Sequence, residues 1–369
     1  MGLGGTIAKE IGGLSFLRSL VISNNNFRGF IPDEMGKLSQ LREIEMQYTE
    51  LNGSIPTSLG FLENLQKLNL SHNMLIGDIP YRILNLSSLV EISFGNNSLS
   101  GSLPTDICYN LPKLEILRIS WNQISGNIPP SMGRCTNLKL LSLSHNNFAG
   151  SIPMEIGNLS NLQILYLAKN NLIGDLPSTI FNITSLLQIS VGANKISGKF
   201  PEDPCNRATM LKNLHISYNK FHGEIPPRLL QCHALQSLDI SGNEFTGNIP
   251  NEIGNLSALE YLHLSDNDLT SFTSQSNYMI HFWYSFECID KHHITGTVPY
   301  SIGSLSNLKI LSIGINSLHG QIPESIFNLS MLQILNFVDN NISGNLPSSI
   351  ANGLPDLEGL YLDGNQLSG

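Results

Sequence analysis

The amino-acid sequence predicts an α/β solenoid, a right-handed superhelix of stacked repeats with a parallel sheet on its concave face and short 3-10 or loop segments on its convex face. Two observations predict it. A leucine recurs every 24 or 25 residues along most of the chain, and an asparagine follows each leucine cluster at a fixed distance. A single unit of this length cannot bury its own apolar side, so units must stack. We expect one solenoid over residues 1–369, with about 15 units.

Each repeat begins with a short strand. In "LKLLSLSHNNFAGSIP", residues 138–153, Leu141 and Leu143 point inward while Ser142 points outward, as a half-buried strand requires. The asparagine that ends the strand should be buried, with its amide bonded to the turn backbone of its own and the next unit. Thr49 stands in this column instead of asparagine. We expect that unit to be weaker, because a hydroxyl supports fewer such bonds.

The spacing L-x-x-L-x-L-x-x-N is that of leucine-rich repeats. The tails "SGNIP", "AGSIP" and "TGNIP", followed by phrases such as "EIGNLSNL", resemble the plant-specific L-x-G-x-I-P subclass along almost the whole chain. The resemblance implies a second short strand on the lateral face of each unit. It also implies the ectodomain of a plant receptor-like kinase, and residues 103–138 look most like the pathogen-sensing branch.

That resemblance implies the extracellular, peptide-recognising repeat region of a receptor-like serine/threonine kinase, acting in signalling or defence at the plasma membrane. A peptide or protein ligand would lie along the concave face, and a smaller co-receptor ectodomain would dock on the lateral face. The alternatives are a secreted leucine-rich repeat inhibitor of microbial wall-degrading enzymes and a truncated gene copy. No cap is recognisable at either end, so we expect a chain truncated at both ends.

Composition and motifs argue against several other functions. The chain has 20 Lys+Arg against 29 Asp+Glu and no basic run, so we expect no nucleic-acid partner. No apolar run is long enough to cross a bilayer, and no signal-peptide pattern opens the chain. G-x-S-x-G and H-E-x-x-H motifs are absent. We expect no catalysis, cofactor or metal site; kinase activity and a membrane span would belong to a downstream region.

The leucine spacing is interrupted after residue 270. Residues 271–293 contain no leucine, and His292 occupies the place of the asparagine. Three interpretations of residues 271–295 remain open: a degenerate but stacked repeat with Tyr284 in a leucine position, a gene-model artefact, and a functional island loop.

Four of the five cysteines form two pairs with the same spacing. Cys108 and Cys135 are 27 residues apart, as are Cys205 and Cys232, and each pair occupies equivalent positions in neighbouring units. Such positions lie about 5 Å apart, within disulfide reach. Disulfides and buried small hydrophobic residues are both open interpretations of these cysteines.

N-x-S/T acceptors recur and are compatible with a secreted surface. We expect Asn69 and Asn96, which face the strand side, to be used less than the others. The remaining predicted glycosylation sites are Asn52, Asn85, Asn158, Asn182, Asn255, Asn328 and Asn341.

Ligand binding should depend on outward side chains of the strands. Aromatic residues and arginine are favoured at binding hot spots. The predicted ligand-binding residues are Arg118, Trp121, His145, Tyr166, Lys169, His215, Tyr218, Asp239, His263 and Asp266. The alternative is that these residues form an ordinary solvated surface and bind no ligand. Three of the ten are histidines, which makes a pH-sensitive affinity a further hypothesis.

Overall fold

The computed structural model describes residues 2–267, 294–348 and 350–368. The chain forms two compact units, Met1–Lys195 with Asn206–Ala208, and Ile196–Cys205 with Thr209–Gly369. Each unit is a stack of parallel-strand repeats with short 3-10 helices. The predicted fold class, a leucine-rich repeat α/β solenoid, is therefore confirmed. The extent of one solenoid over 1–369 stays a prediction.

Short parallel strands of three residues form what we call the main sheet of each unit. In the first unit, Ile116–Arg118 pairs in register with Leu140–Ser142, so that Leu117 lies beside Leu141. Both of these leucines are fully buried, whereas Arg118 is exposed. The main-sheet strands of the first unit are Ser19–Val21, Glu43–Glu45, Lys67–Asn69, Glu91–Ser93, Ile116–Arg118, Leu140–Ser142, Ile164–Tyr166 and Gln188–Ser190.

The main sheet of the second unit has the same arrangement. Its strands are Asn213–His215, Ser237–Asp239, Tyr261–His263, Ile310–Ser312, Ile334–Asn336 and Gly359–Tyr361. Tyr261–His263 pairs directly with Ile310–Ser312, although 49 residues separate Tyr261 from Ile310. The backbone N–H of Leu264 likewise donates to the carbonyl of Ser312 at 2.8 Å. The main sheet of this unit is thus continuous across that interval of sequence.

A second, lateral set of parallel strands follows the asparagine of each repeat, as the L-x-G-x-I-P tail predicts. The strands of the first unit are Gly4–Thr6, Asn26–Phe30, Glu50–Ser54, Met74–Asp78, Ser98–Ser100, Ser125–Asn127, Asn147–Gly150 and Asn171–Asp175. Lys195–Lys199 spans the boundary in sequence between the two units. The later strands are Lys220–Glu224, Glu244–Asn248, Ile294–Thr297, Ser317–Gly320, Asn341–Gly344 and Gln366–Leu367.

The side opposite the main sheet, which we call the helix side, carries mainly 3-10 helices. Most begin after the proline of the repeat tail, whose fixed φ suits the extended residue before the turn. In the first unit they are Lys9–Gly13, Asp33–Lys37, Thr57–Phe61, Ile83–Asn85, Ile107–Tyr109, Pro130–Arg134, Met154–Asn158 and Ser178–Asn182. In the second they are Pro227–Gln231, Asn251–Asn255, Tyr300–Ser304 and Glu324–Asn328, followed by the α-helix Ile350–Gly353.

The asparagine column binds the backbone of successive repeats together. Fully buried Asn243 donates from Nδ2 to the carbonyls of Ile216 at 3.1 Å and Ile240 at 3.0 Å. Its Oδ1 accepts from the N–H of Phe221 at 3.1 Å. These bonds satisfy polar groups that would otherwise be buried without partners.

Two positions depart from this arrangement. The Thr49 hydroxyl lies within hydrogen-bond distance of the Met46 carbonyl and of Asn73 Oδ1, but its single proton can serve only one of them. Asn316 Oδ1 is buried with no donor among the described residues. In ordinary repeats that donor is the backbone N–H two residues after the preceding asparagine, such as Phe245. Here the lateral register puts Ile294 in the equivalent place, and its N–H does not donate to Asn316.

Both cysteine pairs are disulfide-bonded in the structure. Cys108–Cys135 lies in the first unit, with its Cα atoms 5.2 Å apart, and Cys205–Cys232 lies in the second, with a Cα separation of 5.3 Å. Of the two interpretations of these four cysteines, the structure has the disulfides. Each bond joins neighbouring repeats on the helix side, but the prediction of equivalent positions was wrong. Cys108 is equivalent to Met132 and Cys135 to Leu111, so a separation of 27 residues offsets each pair by three residues from the 24-residue repeat.

The three interpretations of residues 271–295 concern a stretch that lies almost entirely outside the described part of the chain, which omits residues 268–293. Tyr284, which the stacked-repeat interpretation placed in a leucine position, belongs to that stretch. On its two sides the described lateral strands Glu244–Asn248 and Ile294–Thr297 pair with each other, Gly247 beside Ile294. Deleting the intervening sequence would therefore test whether the stack requires it.

Candidate binding surface

The residue before each asparagine in the repeat adopts a left-handed backbone conformation. Twelve such residues that are not glycine have φ between 50° and 59°, a region that only glycine enters without steric cost. The set includes Trp121, His145, Lys169, Tyr218 and Asp266, all predicted ligand-binding residues. We call this set the turn column. The backbone bonds of the neighbouring asparagine hold the turn and so impose this conformation on side chains that do not favour it.

Trp121 and His145 form the most exposed aromatic pair of the predicted site in the first unit. Their rings stack with centroids 3.4 Å apart and an interplanar angle of 14°. Trp121 remains 56% exposed, so one part of the indole is available to a ligand while the imidazole supports another. Lys169 follows His145 in the turn column, one repeat further on.

Arg118 and Tyr166 are strand residues of the same unit and are already engaged with neighbours. Arg118 forms an ion pair with Glu91, with 3.3 Å between the guanidinium nitrogen and the carboxylate oxygen. The Tyr166 hydroxyl donates to the side-chain oxygen of Gln188, and burial raises the pKa of Tyr166. Both side chains are therefore held in place, which reduces the entropy that a ligand contact would cost.

In the second unit, His215, Asp239 and His263 lie side by side on neighbouring strands. The register places His215 beside Asp239 and Asp239 beside His263. His215 Nε2 is 2.8 Å from the Ser237 hydroxyl, and Asp239 Oδ1 accepts from the backbone N–H of Ser241 at 3.1 Å. All three predicted residues are half-buried on the main-sheet side.

Tyr218 and Asp266 belong to the turn column of the second unit. The Tyr218 ring lies over Gly242, where a Cβ would approach its Cδ1 to 2.6 Å, and Gly242 has a φ of 61°. The close approach of the Tyr218 ring favours glycine there, whereas twelve other residues of the turn column adopt a similar φ without being glycine. Burial, followed by the charges of Asp266 and Asp239, raises the pKa of Tyr218.

Burial lowers the pKa of all three predicted histidines. Burial, with a smaller contribution from Lys169, lowers the pKa of His145 to about 4. Burial also lowers the pKa of His215 and of His263, although the neighbouring Asp239 carboxylate opposes the shift in each. Since His145 does not change charge between about pH 5 and 7, it does not support the hypothesis of pH-sensitive affinity. The burial of the other two weakens that hypothesis as well.

The structure also contains a second stack that the sequence did not single out as a site. Tyr48 and His72 stack with centroids 4.1 Å apart, and His72 Nδ1 lies 2.8 Å from the side-chain nitrogen of Asn96. Tyr48 is 52% exposed. One feature of the sequence could have predicted this stack: aromatic residues or histidine occur in the turn column of consecutive repeats.

The predicted glycosylation sites lie mostly away from the main-sheet side. Asn158, Asn182, Asn255 and Asn328 are exposed at the last position of their 3-10 helices. Asn85 ends another such helix, and its Oδ1 accepts from Asn110 at 2.9 Å. The lateral strands carry Asn52, which is half-buried, and exposed Asn341.

Asn69 and Asn96 face the main-sheet side. The Asn69 amide donates to Gln47 at 2.6 Å, and its oxygen accepts from the Ser71 N–H at 3.1 Å. A glycan on Asn69 would replace one of its two amide protons at the nitrogen that donates to Gln47.

Within the described residues, no group of three or more His, Cys, Asp or Glu side chains has an arrangement that could hold a metal ion. The search for membrane spans over the same residues found no helix with the length and apolarity needed to cross a bilayer.

Family models for the leucine-rich repeat match several parts of the chain. Two segments, 15–75 and 209–269, match a model described as "Leucine rich repeat". A model for two copies of the repeat matches 136–182, and a single-repeat model matches 88–110, 113–135 and 331–352. None of the curated protein sequences matches this chain.

Solved structures of known proteins superpose on most of the chain. PEPR1 in complex with AtPEP1 is 31% identical with a TM-score of 0.87, covering 98% of this chain and 47% of its own. The Arabidopsis receptor kinase HAESA, solved with the peptide hormone IDA and the co-receptor SERK1, is 27% identical with a TM-score of 0.80. That match covers all of this chain and 61% of HAESA's.

A leucine-rich repeat protein of Leptospira interrogans is 30% identical over 97% of this chain and 88% of its own, with a TM-score of 0.68. The chain belongs to the leucine-rich repeat family. Its fold is similar to the ectodomains of plant leucine-rich repeat receptor kinases, and it spans 46–62% of the first four such ectodomains that it matches.

Proposed function

We propose that this chain is the extracellular, peptide-binding repeat region of a plant receptor-like serine/threonine kinase that acts in signalling or defence. The main support is the exposed Trp121, stacked on a neutral His145, on the main-sheet side of the first unit. The resemblance to PEPR1 with AtPEP1, and to HAESA with IDA and SERK1, is additional support. The kinase would lie in a part of the protein beyond this chain.

Each unit by itself offers a different chemistry to a peptide ligand. In the first, Trp121 offers a flat apolar surface, with Arg118 and Lys169 as nearby cations. In the second, Asp239 and Asp266 provide carboxylates, and burial lowers the pKa of His215 and His263 beside Asp239. We propose an aromatic or proline side chain as the partner of the first group and a cationic one as the partner of the second.

The experiment is selection from a random library of linear 12-residue peptides, followed by calorimetry with the enriched peptides. The double variant Trp121→Ala/Tyr166→Ala removes the aromatic surface of the first unit, and Asp239→Asn/Asp266→Asn removes the carboxylates of the second. Met154→Ala, on the helix side and 63% exposed, is the control. We expect a loss of about tenfold or more in affinity for at least one double variant, and none for the control.

Enriched peptides whose affinity is insensitive to both double variants would move the binding surface elsewhere. Failure to enrich any peptide would count against a peptide receptor. We further propose that a co-receptor ectodomain docks on the lateral strands, as the presence of SERK1 in the HAESA complex suggests.

A further inference from the structure

The lateral sheet of the first unit displays a cluster of apolar side chains to solvent. Phe30 is 71% exposed, Met74 52% and Ile76 54%. Met74 and Ile76 lie on either side of the fully buried Leu75 on one strand, and Phe30 ends a strand that has no buried residue. Exposed apolar side chains grouped on one face, unlike isolated ones, indicate that something covers them.

Asn52 lies in the middle of this cluster. The parallel register places Asn52 beside Phe30 on one side and beside Met74 on the other, and it places Ser54 beside Ile76. Neighbouring strands are about 4.8 Å apart, so the Phe30 and Met74 side chains flank the Asn52 amide. Asn52-Gly53-Ser54 is an N-glycosylation acceptor sequence.

The local backbone leaves room for a sugar at this position. Gly53 has a φ of 76°, and a Cβ there would overlap the Phe30 ring, so the glycine allows the ring to lie along the neighbouring strand. Among the described residues, none forms a hydrogen bond with the Asn52 side chain. Asn69, an acceptor on the main-sheet side, contrasts with it because its amide is bonded to Gln47.

We propose that an N-linked glycan on Asn52 covers this cluster, with its first N-acetylglucosamine packed against Phe30 and Met74. The apolar face of the pyranose ring would lie on the phenyl ring, and the outer sugars would present a polar surface to solvent. This part of the lateral sheet is then closed to protein partners, so the co-receptor of the proposed function would dock on other lateral strands. The inference rests on the secreted location in the proposed function, but its test does not depend on any peptide ligand.

The test uses the chain secreted from a eukaryotic host, with site occupancy read by mass spectrometry of glycopeptides. The glycans are trimmed enzymatically to a single N-acetylglucosamine. Thermal unfolding is then compared with two variants that abolish the acceptor, Asn52→Gln and Ser54→Ala. Asn158→Gln removes a glycan from the helix side, away from the lateral sheet, and is the matched control.

We expect occupancy of Asn52 and a fall of about 1–3 °C in Tm for both acceptor variants, with no change for Asn158→Gln. In a Phe30→Thr background, losing the Asn52 glycan should no longer change Tm, because the stacking surface is gone. The same variants made without glycosylation in bacteria should be indistinguishable from their parents.

Three outcomes would overturn the proposal. An unoccupied Asn52 would leave the cluster open to a protein partner. An occupied Asn52 with unchanged Tm would show that the sugar does not pack on the sheet. An equal loss of Tm in the Phe30→Thr background would place its contact elsewhere.

Discussion

At the scale of single residues, the asparagine column concentrates more backbone hydrogen bonding than any other position of the repeat. Asn243 donates to the carbonyls of Ile216, Ile240 and Ser241 and accepts from Phe221. Because the residue is fully buried, removing its amide leaves several backbone groups without water or partner. Replacing Asn243 should therefore lower the free energy of unfolding by more than an ordinary surface substitution does.

We predict that Asn243→Ala lowers the free energy of unfolding by about 2–4 kcal/mol. Asn243→Thr should fall between Ala and the parent, because a hydroxyl replaces only part of the bonding, as at Thr49. Urea denaturation followed by circular dichroism measures both. Equal stability of the Ala and Thr variants would contradict the account given for Thr49.

The neutral state of His145 leads to a second prediction. The pKa of His145 in the folded chain is about 4, below its usual value of 6.5. Between these two values the unfolded chain binds the proton more readily. The stability due to His145 is therefore present above about pH 6.5 and is lost as pH falls towards 4.

We predict an NMR titration midpoint of about 4 for the His145 ring. Trp121→Ala should raise it, because burial by the stacked indole is removed, and Lys169→Ala should raise it by a smaller amount. Met154→Ala should leave it unchanged. A parent midpoint near 6.5 would contradict both the burial and the stacking argument.

At the scale of elements, each disulfide ties together two helix-side segments of neighbouring repeats. Cys108 and Cys135 are 27 residues apart, and the bond limits the conformations of the unfolded chain between them. We predict that Cys108→Ser/Cys135→Ser lowers stability by about 2–4 kcal/mol. Cys205→Ser/Cys232→Ser should do the same in the second unit. Denaturation in the presence and absence of a reductant gives the comparison; insensitivity of the parent to reductant would contradict it.

The direct pairing of Tyr261–His263 with Ile310–Ser312 allows a test of the sequence between them. Deleting residues 269–293 joins Asp268 to Ile294 and restores the leucine spacing of 24 residues, from "DND" to "ITGTVP". We predict a folded chain whose stability is unchanged or higher by less than about 1 kcal/mol, since a long connection is shortened.

A half-length deletion of residues 269–281 is the control for that experiment. It should also be tolerated if the stack does not need this sequence, whereas a stacked repeat would lose its register. Unfolding of either deletion variant would favour the degenerate-repeat interpretation. Circular dichroism and thermal unfolding distinguish these cases.

The strands of each repeat could be predicted from sequence because the spacing of leucine and asparagine determines them. Leu117 and Leu141 are buried in the strands that their spacing predicts. The left-handed turn at Trp121 could not be predicted in the same way, because tryptophan does not favour it and the hydrogen bonds of Asn122 impose it. The Trp121–His145 stack depends on side-chain rotamers, and the position of Asn52 between Phe30 and Met74 depends on lateral register.

At the scale of the whole molecule, four of the acceptor asparagines and the candidate ligand residues occupy different faces of the repeat. Asn158, Asn182, Asn255 and Asn328 end helices on the helix side, whereas Trp121 and Asp239 lie on the main-sheet side. Sugars on the helix side can therefore cover that surface without obstructing a ligand on the strands.

We predict that replacing these four asparagines by glutamine leaves affinity for selected peptides within about twofold. Solubility should fall, since glycans are bulky and solubilising. Calorimetry of the secreted parent and of the quadruple variant provides the comparison. A loss as large as that of Trp121→Ala/Tyr166→Ala would show that ligand contacts extend to the helix side.

The turn column has a consequence for how such a protein can acquire new specificity. The hydrogen bonds of the following asparagine offset the steric cost of the left-handed turn. Asparagine, tyrosine, tryptophan, lysine, alanine and isoleucine therefore all occur at the preceding position. That position can be randomised, in nature or in a designed library, without redesigning the scaffold. A protein built in this way can diversify its recognition surface one repeat at a time.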